Sequence, residues 1–387
     1  MKLAYISSPY FADCDTPLLE CLSQQGVDLT YIIRLSDSSK KKTLLNISNI
    51  GDRKSGIYSA TEFTGLESIG QYIDLSRVYL LYLKRDGGFS FSNFMSVFSL
   101  LFFLIRGRFD IIHLTWPLGY YFCPLYCLRR RMIMTVHDPL PHSSYKNDKV
   151  KQFNRRVAFR VLRNFVLLNK SQKEEFIKFY HLHNKNIFNS RLSIYNHLSK
   201  LSPVKPDSSN YILFFGQISS YKGLDVLCKA MRIVKQEVPN SKLIVAGRGD
   251  LYFDIDDYVK DGTIDFRNYY IPDAELAGLI KYAEFAVCPY RDATQSGVIM
   301  SAFALNTPVI VTDVGALPEM VDYGRYSPIV PVDDVIALAT TIINLFNSPH
   351  LLQEYRTRIE NDYSEGIYSW NNIAHDLNNI YQICFNK

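Results

Sequence analysis

Short apolar strands alternate with helical stretches along this chain, and the alternation begins twice. In the first series, Leu3–Ser7 and Val27–Arg34 are predicted strands, and Pro17–Gln25 is the predicted helix between them. A second series begins at Tyr211, after residues 197–210, which are rich in proline and serine and have no apolar period. Strands that alternate with helices form parallel sheets, so the chain is predicted to be α/β. Its 387 residues suffice for two domains, predicted as 1–197, a linker over 198–210, and a second domain from 211.

Cysteine spacing and hydropathy exclude several classes of protein. The seven cysteines include no CxxC pair, and Cys123 and Cys127 are the most closely spaced, so neither a disulfide framework nor a metal site is predicted. The chain begins with a strand and a turn rather than with the basic and apolar segments of a signal peptide. The most apolar stretch, Phe94–Ile105, has about a dozen residues, whereas a membrane span needs roughly 18. These patterns predict a cytoplasmic protein with reduced thiols.

The net charge of +5 conceals a difference between the two halves of the chain. Residues 1–200 contain 28 Lys and Arg and 15 Asp and Glu, a balance of +13, whereas residues 201–387 contain 15 and 23, a balance of −8. The basic residues of the first half cluster at Lys40–Lys42, at Arg129–Arg131, and at Arg155, Arg156, Arg160 and Arg163 on one predicted helix. Such clusters suit a solvated face, or attraction to an anionic membrane or a phosphate-bearing acceptor. Nucleic acid is not a predicted partner, because no nucleic-acid-binding motif accompanies the charge.

The predicted helix Phe91–Arg106 is rich in phenylalanine and leucine. A helix of this composition can lie on a membrane or be buried against a sheet, and we favour burial. If the basic half of the chain does bind lipid, the protein is expected to be peripheral on the inner face of the plasma membrane.

The stretch Cys288–Glu319 has the pattern of an anion-binding turn between two buried strands. An apolar strand ends at Cys288, and a polar turn leads to Ser296, which is suited to cap the helix that follows. Gly297 lets the backbone approach a ligand closely. The free N–H groups and the dipole of the helix favour negative charge at this turn. The helix is predicted to stop near Asn306, before a strand whose loop carries Glu319.

Other strand ends carry residues suited to polar ligands. In the second half, one strand leads to Gly216, Lys222 and Gly223, and the next leads to Gly247 and Arg248. Backbone N–H groups and a lysine can hold phosphates, and the carboxyl ends of parallel strands meet at one edge of a sheet. In the first half, histidines stand at or just beyond strand ends: His113, His137 and His142. His113 can equally be a satisfied strand-end residue, His142 a loop residue bonded to the backbone, and Arg248 a surface charge.

Four segments of the second half resemble one known family. FFGQISSYKGLDVL, KLIVAGRGD, IDFRNYYIPDAEL and TQSGVIMSAFALNTPVIVTDVGALPE look like successive parts of the retaining glycosyltransferases of family four. The resemblance covers roughly Tyr211–Val321, and in the first half it rests on FDIIHLTW and TVHDPLPH. It implies the GT-B architecture, in which two Rossmann-like domains face each other across a cleft. SWNNIAHDLNNIYQI is similar to the family's last helix, which implies a second domain over 211–365 and a helix over 366–387 that returns to the first domain.

The resemblance implies roles for individual residues. His137 matches the histidine that reaches the transferred sugar, and Lys222 matches the lysine that holds the donor diphosphate, so both are candidate catalytic residues. The implied donor-binding residues are Gly216, Gln217, Gly223, Gly247, Arg248, Tyr270, Ile271, Thr294, Gln295, Ser296, Gly297, Val298 and Glu319. No metal is implied.

Three positions depart from the family's pattern. Gln217 replaces an arginine, and Thr294 and Ala302 replace a pair of glutamates eight residues apart. The sequence TQSG, which holds Thr294, resembles a subgroup that lacks the first acid. The leading hypothesis is a retaining enzyme that uses a UDP- or GDP-linked sugar, with no other cofactor. Its expected acceptor is a lipid-linked glycan or an oligosaccharide, in the synthesis of a bacterial surface polysaccharide. The alternatives are a nucleotide-sugar- or glycan-binding protein with weakened turnover, and an epimerase or hydrolase on the same scaffold.

Overall fold

The computed structural model describes residues 1–42, 44–51, 53–84, 90–140 and 149–385. Their contacts divide the chain into two compact units. The first unit contains Met1–Leu192 and Ile367–Lys387, and the second contains Ser193–Gly366. The predicted His142 lies outside the described residues.

The first unit is built on an eight-stranded sheet with the order β10-β9-β8-β7-β1-β2-β6-β5. The strands of this sheet are β1 (Lys2–Ser7), β2 (Asp28–Ser36), β5 (Gly56–Ser59), β6 (Val78–Leu83), β7 (Ile111–Leu114), β8 (Met132–Val136), β9 (Asn164–Leu167) and β10 (Asn186–Asn189). Two further strands, β3 (Lys41–Lys42) and β4 (Leu45–Asn46), form a separate hairpin. All sheet neighbours are parallel except β5 and β6. Central strands such as β7 and β8 are buried throughout, which explains why they read as continuous apolar runs.

Helices cover this sheet. They are α1 (Ala12–Gln24), α2 (Glu67–Gly70), α3 (Phe91–Gly107), α4 (Lys149–Val161), α5 (Lys173–Tyr180) and, from the end of the chain, α14 (Trp370–Phe385). Short 3-10 segments occupy Pro9–Phe11, Ala60–Glu62, Leu75–Arg77 and Tyr120–Arg131. The side chain of Gln25, just after α1, donates to the backbone carbonyl of Asn371 at 3.0 Å. The Tyr381 hydroxyl of α14 is hydrogen-bonded to Nδ1 of His113.

The second unit has a six-stranded, wholly parallel sheet with the order β13-β12-β11-β14-β15-β16. Its strands are β11 (Tyr211–Phe215), β12 (Lys242–Ala246), β13 (Ile264–Arg267), β14 (Ala286–Cys288), β15 (Val309–Thr312) and β16 (Ile329–Val330). Its helices are α6 (Asn196–Ser199), α7 (Leu224–Glu237), α8 (Asp256–Lys260), α9 (Asp273–Lys281), α10 (Gly297–Phe303), α11 (Leu317–Met320), α12 (Val335–Phe346) and α13 (Pro349–Ser364). The 3-10 segments are Ser220–Lys222 and Asp322–Gly324. Residues of the predicted linker lie along α9, where Val204 N donates to Ala274 O at 3.1 Å.

Two predicted helix boundaries are wrong. Helix α1 begins five residues before the predicted Pro17, which lies inside it, because its first turns bury Ala12, Cys14 and Thr16. Helix α10 ends at Phe303, and a turn reaches Asn306, whose φ of 56° is left-handed and ends helical geometry. Among the described residues, no single helix has both the length and the apolar character needed to cross a bilayer. Helices α12 and α13 have the length and composition of a span only when taken together, and they are bent by 92° from each other.

The strand order of each sheet reverses beside its first strand. In the first unit the reversal lies between β1 and β7, and in the second it lies between β11 and β14. Open α/β sheets bind ligands outside the carboxyl ends of the strands at such points. Each unit therefore has one place where topology favours a ligand.

Candidate functional site

A buried lysine stands at the strand reversal of the second unit. Lys222 ends the 3-10 segment after β11, is 8% exposed, and holds its ammonium 5.1 Å from the centre of the Tyr290 ring. Burial lowers the pKa of Lys222, although the neighbouring Cys288 thiol acts in the opposite direction. No ion pair or hydrogen bond to this ammonium occurs among the described residues. Because a buried cation is costly unless it is paired, the site favours an anion.

Two buried hydroxyls surround the same place. The Tyr290 and Ser296 hydroxyl oxygens are buried, and Ser296 lies close enough to Tyr290 to lower in part its pKa, which burial raises. Both lie close enough to Cys288 to affect its thiol, whose pKa is raised to about 11 by burial and lowered in part by Tyr290, Lys222 and Ser296. The backbone N–H of Ser296 donates to the thioether sulfur of Met320 at 3.3 Å, and sulfur is a weak acceptor. One ammonium, two buried hydroxyls and a backbone N–H bonded only to sulfur thus lie close together, and this set of donors is suited to phosphate.

Two glycines let the backbone form this arrangement. Gly216 has φ +96°, and a Cβ there would lie 3.4 Å from the Lys222 ammonium and 3.2 Å from Val298. Gly223 has φ +68°, and a Cβ there would lie 1.9 Å from the carbonyl oxygen of Pro289. No larger residue fits at position 223 without moving the loop after β14. The lysine loop and the loop after β14 are therefore packed backbone to backbone.

An arginine fixes these two loops to each other. Arg291 donates to both carboxylate oxygens of Asp225 at 2.9 and 2.8 Å, to Asp333 at 2.6 Å, and to the Ser220 carbonyl at 2.9 Å. Burial alone would raise the pKa of Asp225, but the hydrogen bonds from Arg291 and Tyr252 lower it. A bidentate pair of this kind orients both partners more firmly than a single contact. Arg291 therefore positions the segment that carries Lys222.

In the first unit, His137 follows β8 and stacks on Phe11 with ring centres 3.8 Å apart and an angle of 8°. Burial lowers the pKa of His137 to about 4, although Asp138 acts in the opposite direction, so the imidazole is neutral near pH 7. Its Nε2 is buried and makes no hydrogen bond to a described residue. Beside it lies a cavity of about 30 Å³, lined in part by Asp15 and Trp370, which is room for about one water. His137 thus offers an unused ring nitrogen.

His113 behaves differently from His137. It is fully buried, and burial lowers its pKa to about 3. Its Nε2 is hydrogen-bonded to the Thr135 hydroxyl at 2.7 Å, and its Nδ1 to Tyr381. With both ring nitrogens satisfied, His113 is a structural residue, which was one of the two interpretations left open by the sequence.

A cavity of about 590 Å³ lies at the strand reversal of the first unit. Its lining combines hydroxyls, aromatic rings, two basic side chains and one acidic one: Ser7, Ser8, Ser36, Ser39, Tyr10, Phe11, Trp116, Arg34, Lys151 and Asp138. The Thr115 hydroxyl donates to Ser7 at 2.7 Å across the two strand ends, which holds the floor of the cavity together. Aromatic faces with hydroxyls and cations suit a sugar that carries phosphate or carboxylate.

A buried carboxyl group in this unit leads to a prediction about pH. Asp15 is 1% exposed and accepts hydrogen bonds from Tyr5 at 3.0 Å and Tyr31 at 3.1 Å. Burial raises its pKa to about 7, although the hydrogen bonds to Ser7, Tyr5 and Tyr31 act in the opposite direction. The folded state therefore keeps a proton that the unfolded chain has lost above about pH 4, so this group's contribution to stability falls as pH rises toward 7.

Asp15→Asn should remove the loss of stability that the Asp15 carboxyl group causes as pH rises. The free energy of unfolding of the variant, relative to wild type, should increase by up to about 4 kcal/mol between pH 4 and pH 8. Denaturant unfolding across this range measures it, with Glu20→Gln in the same helix as the control. A constant difference between Asp15→Asn and wild type would contradict the assignment.

Residues 209–348 match a family model described as Glycosyl transferases group 1. The chain is similar to this family over this region. The region contains the lysine loop, the Arg291 contacts and both buried hydroxyls described above. The site of the second unit therefore lies within the part of the chain that carries the family's pattern.

Proteins similar to part of this chain include proteins of archaea and bacteria. An uncharacterised glycosyltransferase of Methanocaldococcus jannaschii is 29% identical over 189 residues, 46% of each chain. The phosphatidyl-myo-inositol mannosyltransferase of Mycolicibacterium smegmatis is 23% identical over 184 residues, 46% of each chain. The amylovoran biosynthesis glycosyltransferase AmsK of Erwinia amylovora is 24% identical over 170 residues, 40% of this chain and 42% of its own. The alignment thus spans about half the length of the curated relatives that the chain matches.

Solved structures of glycosyltransferases share the fold over the whole chain. Sucrose-phosphate synthase from Thermosynechococcus elongatus aligns with a TM-score of 0.65 and 16% identity, covering 100% of this chain and 99% of its own. Anabaena HepE in complex with UDP aligns with a TM-score of 0.64 and 14% identity, covering 99% and 100%. The predicted α/β class, with two Rossmann-like domains of the GT-B type, is confirmed.

The second unit brings some of the predicted donor-binding residues together. The group around Lys222 contains Gly216, Gly223, Ser296 and Val298. Gly247 joins it through the backbone, since a Cβ there would lie 1.9 Å from the Gly216 carbonyl oxygen. A Cβ at Gly297 would lie 3.0 Å from the Tyr195 hydroxyl, so that turn is also tight. Ser296 occupies the N-cap position of α10, but its side chain makes no capping hydrogen bond.

The remaining predicted residues differ in exposure. Gln217 and Arg248 are exposed, and Arg248 is joined to the loop only through its carbonyl, which accepts from Ile218. Tyr270 is exposed and donates to Asp273, whereas Ile271 is buried. Thr294 is buried, Gln295 is partly exposed, and Glu319 lies in the first turn of α11. Among the described residues, no group of three His, Cys, Asp or Glu is placed to hold a metal ion.

Sequence reasoning missed several residues of the site. Cys288, the last residue of β14, and Tyr290, in the loop after it, lie beside Lys222 although 66 and 68 positions separate them from it in the chain. No local pattern joins the two segments. Arg291 and Asp225 are both polar residues next to predicted strand or helix ends, which is the signal that could have found them. In the first unit, Trp116 is the last residue of the segment FDIIHLTW, just after β7, and could have been identified in the same way.

Proposed function

We propose that this protein is a retaining glycosyltransferase that moves a sugar from a nucleoside diphosphate to a lipid-linked glycan. The observation that carries the proposal is the buried Lys222 ammonium, which has no carboxylate partner in the part of the chain that the structure describes. It lies at the strand reversal of the unit that matches the group 1 glycosyltransferase model. A nucleoside diphosphate supplies the missing anion. UDP is present in one structural neighbour, and both UDP- and GDP-linked sugars suit this site.

The proposed reaction exchanges two bonds at the anomeric carbon. The bond from this carbon to the diphosphate oxygen breaks, and a bond to the acceptor oxygen forms on the same face of the sugar. The proton of the acceptor hydroxyl passes to the departing diphosphate. Lys222 stabilises the negative charge that grows on the diphosphate, which is the electrostatic form of catalysis. The neutral imidazole of His137 is assigned a hydrogen bond to the substrate through its unused Nε2.

We assign the acceptor to the cavity of about 590 Å³ in the first unit. Its aromatic and basic lining fits a glycan linked to a lipid through phosphate. The relatives named for phosphatidyl-myo-inositol and for amylovoran support acceptors of lipid or polysaccharide character. The proposed setting is the synthesis of a bacterial capsule, exopolysaccharide or O-antigen, and the TQSG sequence assigns the protein to a subgroup without the first acid.

Trp116→Ala tests the acceptor cavity. Removing this ring takes away a stacking surface, so kcat/KM for the acceptor should fall about tenfold. Stabilisation by nucleoside diphosphate should stay unchanged, because Trp116 belongs to the other unit. Tyr120→Ala, a change at an exposed position outside the cavity lining, is the control. An equal loss in both variants would contradict the assignment.

The donor is tested with a panel of UDP, GDP, ADP and their common sugar conjugates. The expected result is thermal stabilisation by the diphosphates of one base, followed by sugar transfer from that donor to a lipid extract. The rival function is donor binding without turnover, which is favoured by Ala302, fully buried where the family has a glutamate. Stabilisation without transfer to any extract would support the rival, and no stabilisation by any nucleotide would contradict both.

A further inference from the structure

Helix α3 of the first unit presents an apolar face to solvent. Five large side chains point outward, with exposed fractions of 72% for Phe91, 49% for Met95, 42% for Phe98, 63% for Phe102 and 52% for Ile105. At 100° per residue they fall within roughly 80° of the helix circumference, along about 21 Å of its length. We call these five residues the apolar stripe.

The opposite face of α3 already holds the helix in place. Val97, Leu100 and Leu104 are at most 1% exposed and belong to the core of the first unit. The buried Asn93 accepts a hydrogen bond from the Ser55 hydroxyl at 2.9 Å. A surface helix normally presents polar residues to solvent, whereas α3 presents large apolar residues there. Much of the surface of the apolar stripe is therefore left uncovered within the unit, although the Phe98 ring meets the Phe94 ring with centres 5.0 Å apart. Exposed patches of this kind mark contact with a partner.

Arginines border one end of the apolar stripe. Arg106 and Arg108 stand at the end of α3, and Arg129–Arg131 end the neighbouring 3-10 segment. A groove of about 810 Å³ brings Ile105 together with several of these arginines and with Phe385, which is 51% exposed. Residues 90–109 and 111–137 contain no Asp or Glu, and the Asp110 carboxylate between them accepts from the backbone N–H of Lys2. The surface is thus apolar, cationic and poor in acid.

We propose that the apolar stripe and the five arginines dock the first unit on a bilayer that contains anionic phospholipid. A helix lying in a membrane interface buries its apolar face among the acyl chains and places cations among the head groups. A second copy of the chain fits this surface less well, because it would bring a second cluster of arginines to an interface where these segments offer only Asp110. The sequence favoured burial for this helix, but the structure shows one face buried and the other exposed.

The predicted role of α4 in membrane binding needs one correction. Arg155 is buried, and its guanidinium donates to the backbone carbonyls of Asp138 and Pro139. Replacing it together with Arg156, Arg160 and Arg163 would disturb the fold. A loss of vesicle binding in such a variant would therefore not be evidence about lipid contacts. The test belongs on α3, where the side chains concerned are exposed.

The experiment is flotation of the full chain with vesicles of phosphatidylcholine, alone or with about a third phosphatidylglycerol. Wild type should bind the anionic vesicles, and 0.5 M salt should weaken this binding because it screens exposed charges. Phe98→Ser with Phe102→Ser should reduce binding at least tenfold, and so should Arg106→Ser with Arg130→Ser. Phe179→Ser with Ile367→Ser, which removes two equally exposed apolar residues elsewhere in the unit, is the matched control and should bind like wild type.

Melting temperature and sedimentation complete the test. All variants should melt close to wild type, since the altered side chains are exposed. The proposal is overturned if wild type ignores anionic vesicles, or if Phe98→Ser with Phe102→Ser binds as well as wild type. It is also overturned if wild type sediments as a dimer and this variant as a monomer, because a second copy is then the occupant. No nucleotide or acceptor is present, so the result is independent of the proposed activity.

Discussion

Replacing Lys222 with methionine should abolish the stabilisation of this protein by nucleoside diphosphates. Methionine keeps most of the length and apolar character of the side chain but removes the ammonium that lies 5.1 Å from the Tyr290 ring. A ligand at about 100 times its dissociation constant stabilises the wild type by about 2.7 kcal/mol, a shift that thermal melting detects. Without nucleotide the variant should be at least as stable as wild type, because burial already lowers the pKa of this lysine.

The melting temperatures of Lys222→Met with and without nucleotide distinguish a role in ligand binding from a role in the fold. A lysine that only supports the fold would lower the melting temperature when replaced, with or without nucleotide. Lys229→Met, at an exposed position on α7, is the control and should leave both measurements unchanged. The rate of sugar transfer by Lys222→Met should fall at least about 100-fold, since charge stabilisation of a leaving group contributes on that scale. Full nucleotide stabilisation in Lys222→Met would falsify the assignment.

Gly223→Ala should cause a large loss of stability in the second unit. Alanine at φ +68° costs about 1 to 2 kcal/mol. Its methyl group would also lie 1.9 Å from the Pro289 carbonyl oxygen, so one of two packed loops must move. The total loss is expected to be about 3 kcal/mol or more, in the range of severe single mutations.

A matched glycine isolates the contact from the backbone strain. Gly262 has φ +74°, and a Cβ there would meet nothing within 4 Å, so Gly262→Ala carries the strain alone. Denaturant unfolding of the two variants should differ by at least about 1.5 kcal/mol. Equal losses would show that the loop after β14 yields easily. In that case the lysine loop would not be held by the packing described above.

The success of sequence reasoning here depends on whether a feature is local. Leu3–Ser7 was predicted to within one residue of the observed strand Lys2–Ser7, because a parallel strand buried on both faces is a continuous apolar run. Gly216, Lys222 and Gly223 form one site because a strand and the turn after it are continuous in sequence. Helix α1 was predicted to begin too late, since local rules place proline near a helix start, whereas burial of the residues before Pro17 extends the helix.

Features that depend on packing between distant segments could not be predicted in the same way. The approach of Tyr290 to Lys222 and the pairing of Arg291 with Asp225 both depend on which strands become neighbours in the sheet. The composition of Phe91–Arg106 indicated a helix, but not that half of its apolar residues would face solvent. Arg155 belonged to a basic cluster by sequence, and only its contacts show that it is buried.

The first unit is assembled from two distant stretches of chain, and this affects how it is made. His113 on β7 and Tyr381 on α14 are hydrogen-bonded at its centre, although 268 positions separate them. During synthesis the ribosome releases all of the second unit before α14 emerges. Until then, the surface of the first unit that packs against α14, which includes part of α1, stays uncovered, whereas the second unit already has its full sequence. A holding chaperone would be expected to act on the first half of the newborn chain.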